Sequence, residues 1–356
     1  MSIFRDNVLG FIPEKDWLSV GFDVQRPNDP IDGLFGDERT DNLVAYWQSI
    51  AAEYQIPVMA QFHGFDTEAQ KTFRVPVDTH NIEKGLIKVK LNTSERLREL
   101  TRSGVQGDQA IYDYVMNDGL RLADQVVTRT KVAKNELMAT GKVTIKENDL
   151  DLTVDYGVPA ANLNKTLDFG AGAAHGIPDQ LQDLVDEATA AGINLNGMLL
   201  PRAILTKIRQ DANVQRAVNG TNMVGQLVRN SDLRAYMNEE FGIAEIITND
   251  LTYNVPGTLS ATTGIPSLTA NRYYPANKVS FFATNNSGRI GAGLWGDPPE
   301  VDGGVAASGE SPFVFISQWG EKDPAVLWTK ASALFMPVLY NPNALYVASV
   351  LETAGA

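Results

Sequence analysis

The chain has 356 residues, 44% of them hydrophobic, enough for real cores in two or three compact units. It has no cysteine, which excludes disulfides, thiolate metal sites and cysteine nucleophiles together. A formal charge of −13 and a pI near 4.7 argue against a protein that coats nucleic acid, because such affinity comes mostly from phosphate neutralisation by Lys and Arg.

No run approaches the ~18 to 20 apolar residues of a membrane span. Met1-Ser2-Ile3-Phe4-Arg5-Asp6 lacks the basic region and apolar core of a signal peptide, so the sequence reads as made and used in a cytoplasm. Residues 1 to about 39 are rich in Pro, Gly and Asp, with aromatics at Phe4, Phe11, Trp17, Phe22 and Phe35. Such a segment cannot build its own core, yet it carries too many aromatics for a solvated tail, and it reads as an arm lying on something else. Thr40 or Asp41 then caps an expected short helix through Tyr54, with Leu43, Trp47, Ile50 and Ala51 on one face.

From Ile56 to Leu91 the period changes to two. Phe73, Val75 and Val77 alternate with polar positions, and so do Ile87, Val89 and Leu91, which predicts a hairpin. Its expected connection, Asp78 to Gly85, and the polar stretch Gly64 to Lys71 bury little, so the pair should project. The next element is the most informative: a proline-free helix from Asp108 to Thr140, ~50 Å long at ~1.5 Å per residue. Ile111, Val115, Leu122, Val126, Ala133 and Leu137 form its apolar stripe, and Gly141 stops it. A compact globule of this length has a radius of gyration of ~20 Å, so a helix this long implies a flattened or arm-bearing shape.

A second hairpin is expected at Lys142 to Tyr156 around Asn148-Asp149. Helices follow from Pro178 to Ala191, from Pro201 to about Ala212, and from Ser231 or Asp232 to Phe241, with strands at Ile243 to Thr248 and Val279 to Ala283. The glycine-rich passages Val255 to Gly264 and Gly288 to Gly309 read as rim loops. Phe313 to Ile316 and Val326 to Val350 return to strand pattern, expected to complete the first sheet and make that domain discontinuous.

Candidate chemistry is sparse. Gly291-Ala292-Gly293-Leu294-Trp295-Gly296 matches a dinucleotide fingerprint after a strand, but Asp297-Pro298-Pro299 follows where a helix must receive the pyrophosphate, so it reads as a plain loop. Gly170 to Gly176 lacks the spacing of a P-loop and reads as a connector. Asp78, His80 and Glu83 would make half a metal site, and solvated loop polarity explains them better. Neither a Gly-x-Ser-x-Gly elbow nor a His-Glu-x-x-His motif occurs, and no catalytic, cofactor or metal residue is assigned.

The order of parts resembles the major capsid proteins of tailed bacteriophages, of the phage lambda E type. Three places carry it: Met138-Ala139-Thr140-Gly141-Lys142-Val143; Lys278-Val279-Ser280-Phe281-Phe282 with the Gly-rich run to Pro299-Glu300; and Asp323-Pro324 with Met336 to Pro342. The resemblance implies an α+β capsid fold: an N-terminal arm and short helix at 1–55, an extended E-loop hairpin at 56–92, a peripheral domain at 93–160 and 316–356 with spine helix 108–140, and an axial domain at 161–315. It implies a structural shell protein rather than an enzyme, with no cofactor, self-assembling as hexamers and pentamers. A scaffolding protein, a portal protein, a possible decoration protein and enclosed double-stranded DNA are the expected partners, without a membrane. Inter-subunit contact candidates are Phe11, Trp17, Phe22 and Phe35 in the arm, and Phe65, Lys71, Arg74, Lys84 and Lys88 in the hairpin region. Lys71 and Lys84 are also the candidates for a lysine–asparagine cross-link, although the lambda-like resemblance points to a noncovalent lattice. Two other readings stay open, a nanocompartment shell and a soluble α+β ligand-binding protein.

Overall fold

A computed structural model describes residues 29–50, 56, 59, 74, 77–93, 107–147, 150–170, 175–220, 225–259, 266–300, 313–321 and 326–351. The spine is a helix over Gly107–Thr140, 34 residues long, as expected from its pattern. Leu122, Ala123, Val126, Val127, Ala133, Leu137 and Met138 recur at helical spacing and are buried along one side. Gly141 ends the helix with φ +69°, its N–H bonding Leu137 O at 2.8 Å. The last turn contains no basic residue of its own. Its carbonyls are instead met from across the fold: Lys278 Nζ donates to Ala139 O at 2.7 Å and Ser280 Oγ to Met138 O at 2.6 Å.

The spine packs on a five-stranded sheet. Its strands run in the order β1 (Phe35–Arg39), β13 (Gly291–Gly296), β15 (Leu327–Leu339) and β14 (Phe315–Gly320), and β4 (Gly85–Thr93) pairs with the other side of β15. A second sheet runs β7 (Lys165–Asp168), β16 (Leu345–Leu351), β12 (Lys278–Phe282), β8 (Gly197–Leu200) and β9 (Glu245–Thr248). Helices at Ile177–Ala190, Arg202–Gln210, Ala212–Asn219 and Asn230–Phe241 supply the apolar residues that meet one face of it. Its three central strands, β16, β12 and β8, are buried on both faces. Met198, Leu200, Phe281, Tyr346 and Ala348 join the helices in one core, while their neighbours Leu199, Phe282, Leu345 and Val347 join the spine and first sheet in the other. Strands of this kind read as continuous apolar runs rather than alternations, which Gly197-Met198-Leu199-Leu200 and Val279-Ser280-Phe281-Phe282 nearly do.

Three two-stranded ribbons complete the description. β2 (Val44–Ile50) pairs with β3 (Val77–Glu83), β5 (Lys142–Glu147) with β6 (Leu150–Asp155), and β10 (Thr252–Leu259) with β11 (Pro266–Arg272). The hairpin at 142–156 therefore forms as expected.

Several expectations are corrected. The helix from Thr40 or Asp41 to Tyr54 is a strand over Val44–Ile50; Ala45 and Trp47 are buried while Tyr46 between them is 61% exposed, a period of two. Leu43, which the helical reading placed on the buried face, is 50% exposed. The i, i+4 spacing of Leu43 and Trp47 fits a helix, but the partner strand thirty residues later settles the period. Among the described residues, Val77 pairs with Ile50 rather than with the expected strand at 87–91. β3 occupies the supposed polar connection and pairs with β2, and β4 pairs with β15 from Gly85↔Phe335 to Thr93↔Leu327. Phe73 and Val75 lie outside the described residues. Val255 to Gly264 is partly strand β10, with residues 260–264 outside the description. The helix expected to reach Ala212 stops at Gln210, and Asp211 caps a new one by accepting from Asn213 N at 2.9 Å and Val214 N at 3.0 Å.

The largest correction concerns Gly291 to Gly296. It is a fully buried strand between β1 and β15, parallel to the first and antiparallel to the second. Its glycines serve close approach. A Cβ on Gly293 would stand 2.6 Å from Asp37 Oδ1 and 2.9 Å from the Phe335 ring, and one on Gly296 would stand 2.8 Å from Lys84 Nζ. Asp297 and Pro298 follow without a helix, so the phosphate-binding geometry of the fingerprint is not assembled.

Candidate interaction surface

Two places in the fold are fixed by polar anchors: Asp29, where the described residues begin, and the root of the β2–β3 ribbon. The arm's root is held by a buried polar cluster. One Asp29 oxygen accepts from Ile31 N at 3.0 Å and Asn249 Nδ2 at 3.1 Å, and the other accepts from Asn135 Nδ2 at 3.3 Å. Asn249 Nδ2 also donates to Asn135 Oδ1 at 2.9 Å, tying the spine to the loop after β9. Burial pushes the Asp29 carboxyl above the usual aspartate range, with nearby Asp32 adding to this and the Ile31 N–H opposing it. One turn along the spine, Lys134 Nζ lies 3.1 Å from Asp32 and 3.0 Å from Asp37, and Lys131 Nζ lies 3.3 Å from Asp32. The short helix Ile31–Leu34 buries Ile31 and Leu34 beside this cluster.

Lys84 holds the ribbon's root. The residue is buried, and its ammonium donates to Thr40 O at 2.7 Å and Trp295 O at 3.0 Å. Its own N–H bonds Leu43 O at 3.0 Å. Burial lowers its pKa, while Asp297 and Asp41 act in the opposite direction. Above this root Trp47 stacks on His80 at 5.1 Å and tilts against Tyr156 at 5.8 Å, whose hydroxyl donates to Pro337 O at 2.6 Å. The ribbon's inner face is thus fastened to Tyr156, the residue directly after β6. On its other face Tyr46, Thr79 and Asn81 are exposed.

The sequence-derived contact candidates separate accordingly. Phe35 starts β1 and is buried in the chain's own core, so it is not a surface residue. Lys84 is spent within the subunit, and neither it nor its ammonium is presented to a neighbour. Arg74 and Lys88 are exposed. Phe11, Trp17, Phe22, Phe65 and Lys71 lie outside the described residues. Asp78, His80 and Glu83 lie on one strand, where the first two share a parity and the third does not. Among the described residues no group of three metal-capable side chains assembles. The Asp29–Asn135–Asn249 cluster was not foreseen; Asn135 and Asn249 are ordinary polar residues until the fold brings them together.

A long spine helix packed against two sheets, with a fastened two-stranded ribbon, is the fold of phage capsid shell subunits. The same fold is seen in a protein assigned as the capsid protein of an Escherichia coli prophage, with TM-score 0.53, 13% identity and coverage of 99% of this chain and 100% of that one. It is also seen in a phage-related protein from Bordetella bronchiseptica, with TM-score 0.52, 10% identity and coverage of 94% and 95%. Residues 68–350 match the model of the phage major capsid protein E family, and the chain belongs to that family. It is a major capsid protein, a structural component of the virion shell. No curated protein matches the chain significantly by sequence.

Proposed function

We propose that this chain assembles, in the cytoplasm of its bacterial host, into hexamers and pentamers of a closed icosahedral head around double-stranded DNA. A separate scaffolding protein and a portal take part in assembly, and a decoration protein can reinforce the outside. The role is structural rather than catalytic. The domain division follows the same reading, with a peripheral part on the spine and first sheet and an axial part on the second sheet and its helices. The observation that supports it best is the pair of buried polar roots, the Asp29 cluster and the Lys84 anchor, which fix where the aromatic-bearing first residues and the β2–β3 ribbon join the body, as straps laid across neighbours would need. The net negative charge suits a wall that must not grip its contents.

Negative-stain microscopy of the expressed chain, with and without its scaffold, is the direct test. Closed particles are expected, and a chain that stays monomeric at all concentrations with scaffold and portal present overturns the proposal. Particles filled with cargo enzyme instead of DNA would move it to a nanocompartment. Replacing residues 60–73, beyond the ribbon's paired strands, with a short Gly-Ser turn should leave folding intact and abolish shells. Particles boiled in detergent should run as one band near 38.8 kDa. A ladder of higher species would reveal covalent links, and with Lys84 engaged inside the subunit Lys71 would be the first residue to mutate.

A further inference from the structure

The first sheet has two faces of different chemistry. Ile87 and Val89 of β4, Ala331 and Ala333 of β15 and Ile316 of β14 lie in the core shared with the spine. The opposite parity of the same three strands faces away from that core. It carries Lys88 and Lys90 on β4, Trp328 and Lys330 on β15, and Trp319 on β14. The first two are exposed and the other three half-buried.

An aromatic pair therefore stands beside a group of lysines. Trp319 and Trp328 are directly opposite one another and stack, with ring centroids 6.3 Å apart and planes 16° from parallel. The Lys90 ammonium lies 4.3 Å from the Trp328 ring centroid, a cation–π contact that holds it over the aromatic surface. Lys330, directly opposite Lys90, is taken by Glu300, whose other oxygen accepts from Ser332 Oγ at 3.3 Å. Lys88 and Lys90 enter no ion pair among the described residues, and the buried indole N–H of Trp328 meets no acceptor among them. Like charges directly opposite on adjacent strands are destabilising, so the fold gains nothing from Lys90 beside Lys330. An anion laid over β4 would remove that repulsion.

The protein as a whole carries a formal charge of −13, so this cationic surface is a local exception. A ligand for it must be anionic without being so densely charged that the rest of the molecule repels it. Duplex DNA, with one charge per ~1.7 Å, meets that repulsion in full, and two unpaired lysines release few counterions against it. A polypeptide with a few carboxylates among apolar or aromatic residues does not. Side chains on one face of an extended segment repeat at about 7 Å, the spacing of Lys88 and Lys90 along their own strand.

From this surface we infer that the outer face of β4, β15 and β14 docks an acidic polypeptide segment of a separate protein. Carboxylates of the segment meet Lys88 and Lys90, and an apolar or aromatic side chain packs against Trp319. Docking of this kind does not require shells to form.

The test titrates the free, unassembled chain with a glutamate–tyrosine copolymer, with polyglutamate and with a short DNA duplex, read by tryptophan fluorescence and sedimentation. The copolymer is expected to bind more tightly than polyglutamate. Lys88→Gln with Lys90→Gln should weaken it at least about fivefold, while Lys142→Gln with Lys146→Gln, an equal change of charge on β5, should not. Trp319→Leu should remove the advantage of the copolymer over polyglutamate. No binding of the copolymer, or equal weakening by both pairs of substitutions, overturns the inference. Tighter binding of the duplex through Lys88 and Lys90 gives the face to nucleic acid and also overturns it. So does self-association of the chain that the Lys88 and Lys90 substitutions abolish, which gives the face to a second copy.

Discussion

The two cores of this molecule are built in opposite ways. The core under the four short helices draws mostly on a run from Leu167 to Phe281, joined by the closing residues Ala344 to Val350. The core around the spine gathers Phe35, Leu137, Trp295 and Phe335, residues from four distant parts of the chain. The first is a conventional layer of helices on a sheet, and its helices were legible from caps and periodicity. The second closes only when β1, β4, β13 and β15 meet; β15 was read as strand, but β13 was read as a loop and β4 was given the wrong partner. The spine core is also where Asp29 and the β2–β3 ribbon are rooted, so both roots depend on the longest-range contacts.

The sharpest way to break that contrast is Val126→Pro. Val126 is fully buried at mid-spine, and proline removes a helix hydrogen bond and clashes with the preceding turn at a cost of about 3 kcal/mol or more. Insoluble protein or loss of the cooperative thermal transition is expected, and normal particles would mean that the spine is dispensable. Next come two neighbours on one strand, Phe281→Ala and Phe282→Ala. Each should cost about 3–5 kcal/mol by denaturant unfolding. Hydrogen exchange should then separate them, with Phe281→Ala loosening the helices at 177–241 and Phe282→Ala loosening the end of the spine. Equal loosening of both regions would show that the two cores behave as one.

Gly293→Ala acts on the buried glycine strand alone. The added methyl must displace Asp37 or the Phe335 ring, for an expected loss of about 1–3 kcal/mol read as a lower denaturation midpoint. An unchanged midpoint would mean that the close packing of β1 on β13 is looser than it stands here. The smallest effect is expected at the arm's root. The Asp29 carboxyl is raised in the folded state, so the native protein holds its proton at pH values where the unfolded chain has released it. Stability contributed by this group therefore falls as pH rises from the ordinary aspartate range to the raised folded value, and is constant above it. Asp29→Asn should flatten that part of the stability–pH curve and change stability at neutral pH by less than about 1 kcal/mol. An unaltered slope would show that other carboxylates control the acid limb.

The corrections share a cause. Gly291 to Gly296 reads as a loop because glycine lacks a side chain to report a period; pairing with β1 and β15 makes it a strand, and Phe35, Asp37 and Lys84 occupy the space that side chains there would fill. Val44–Ile50 carries both a helical and a strand spacing, and β3 selects between them. The expected connection Asp78 to Gly85 holds most of β3 and the Lys84 anchor, and so belongs to the fold rather than to its edge. The motif Lys278-Val279-Ser280-Phe281-Phe282, which carried the family resemblance, has a physical task that sequence could not display: two of its side chains satisfy the spine's last carbonyls.

What the sequence determined by itself was local: the spine from its uninterrupted stripe and Gly141, the 142–156 hairpin, the helices opened by Pro and Asp, the lack of cysteine chemistry, and the family. Each of these follows from interactions within one or two turns or across one tight loop. What only the tertiary structure decided was which strands pair, that the glycine run is a buried strand, and that Asp29 and Lys84 are polar anchors. Those outcomes rest on partners outside the local pattern, from β3 for β2 to the far more distant Asn249 for Asp29 and Trp295 for Lys84, and residues so separated leave no mark on the local pattern that a sequence displays.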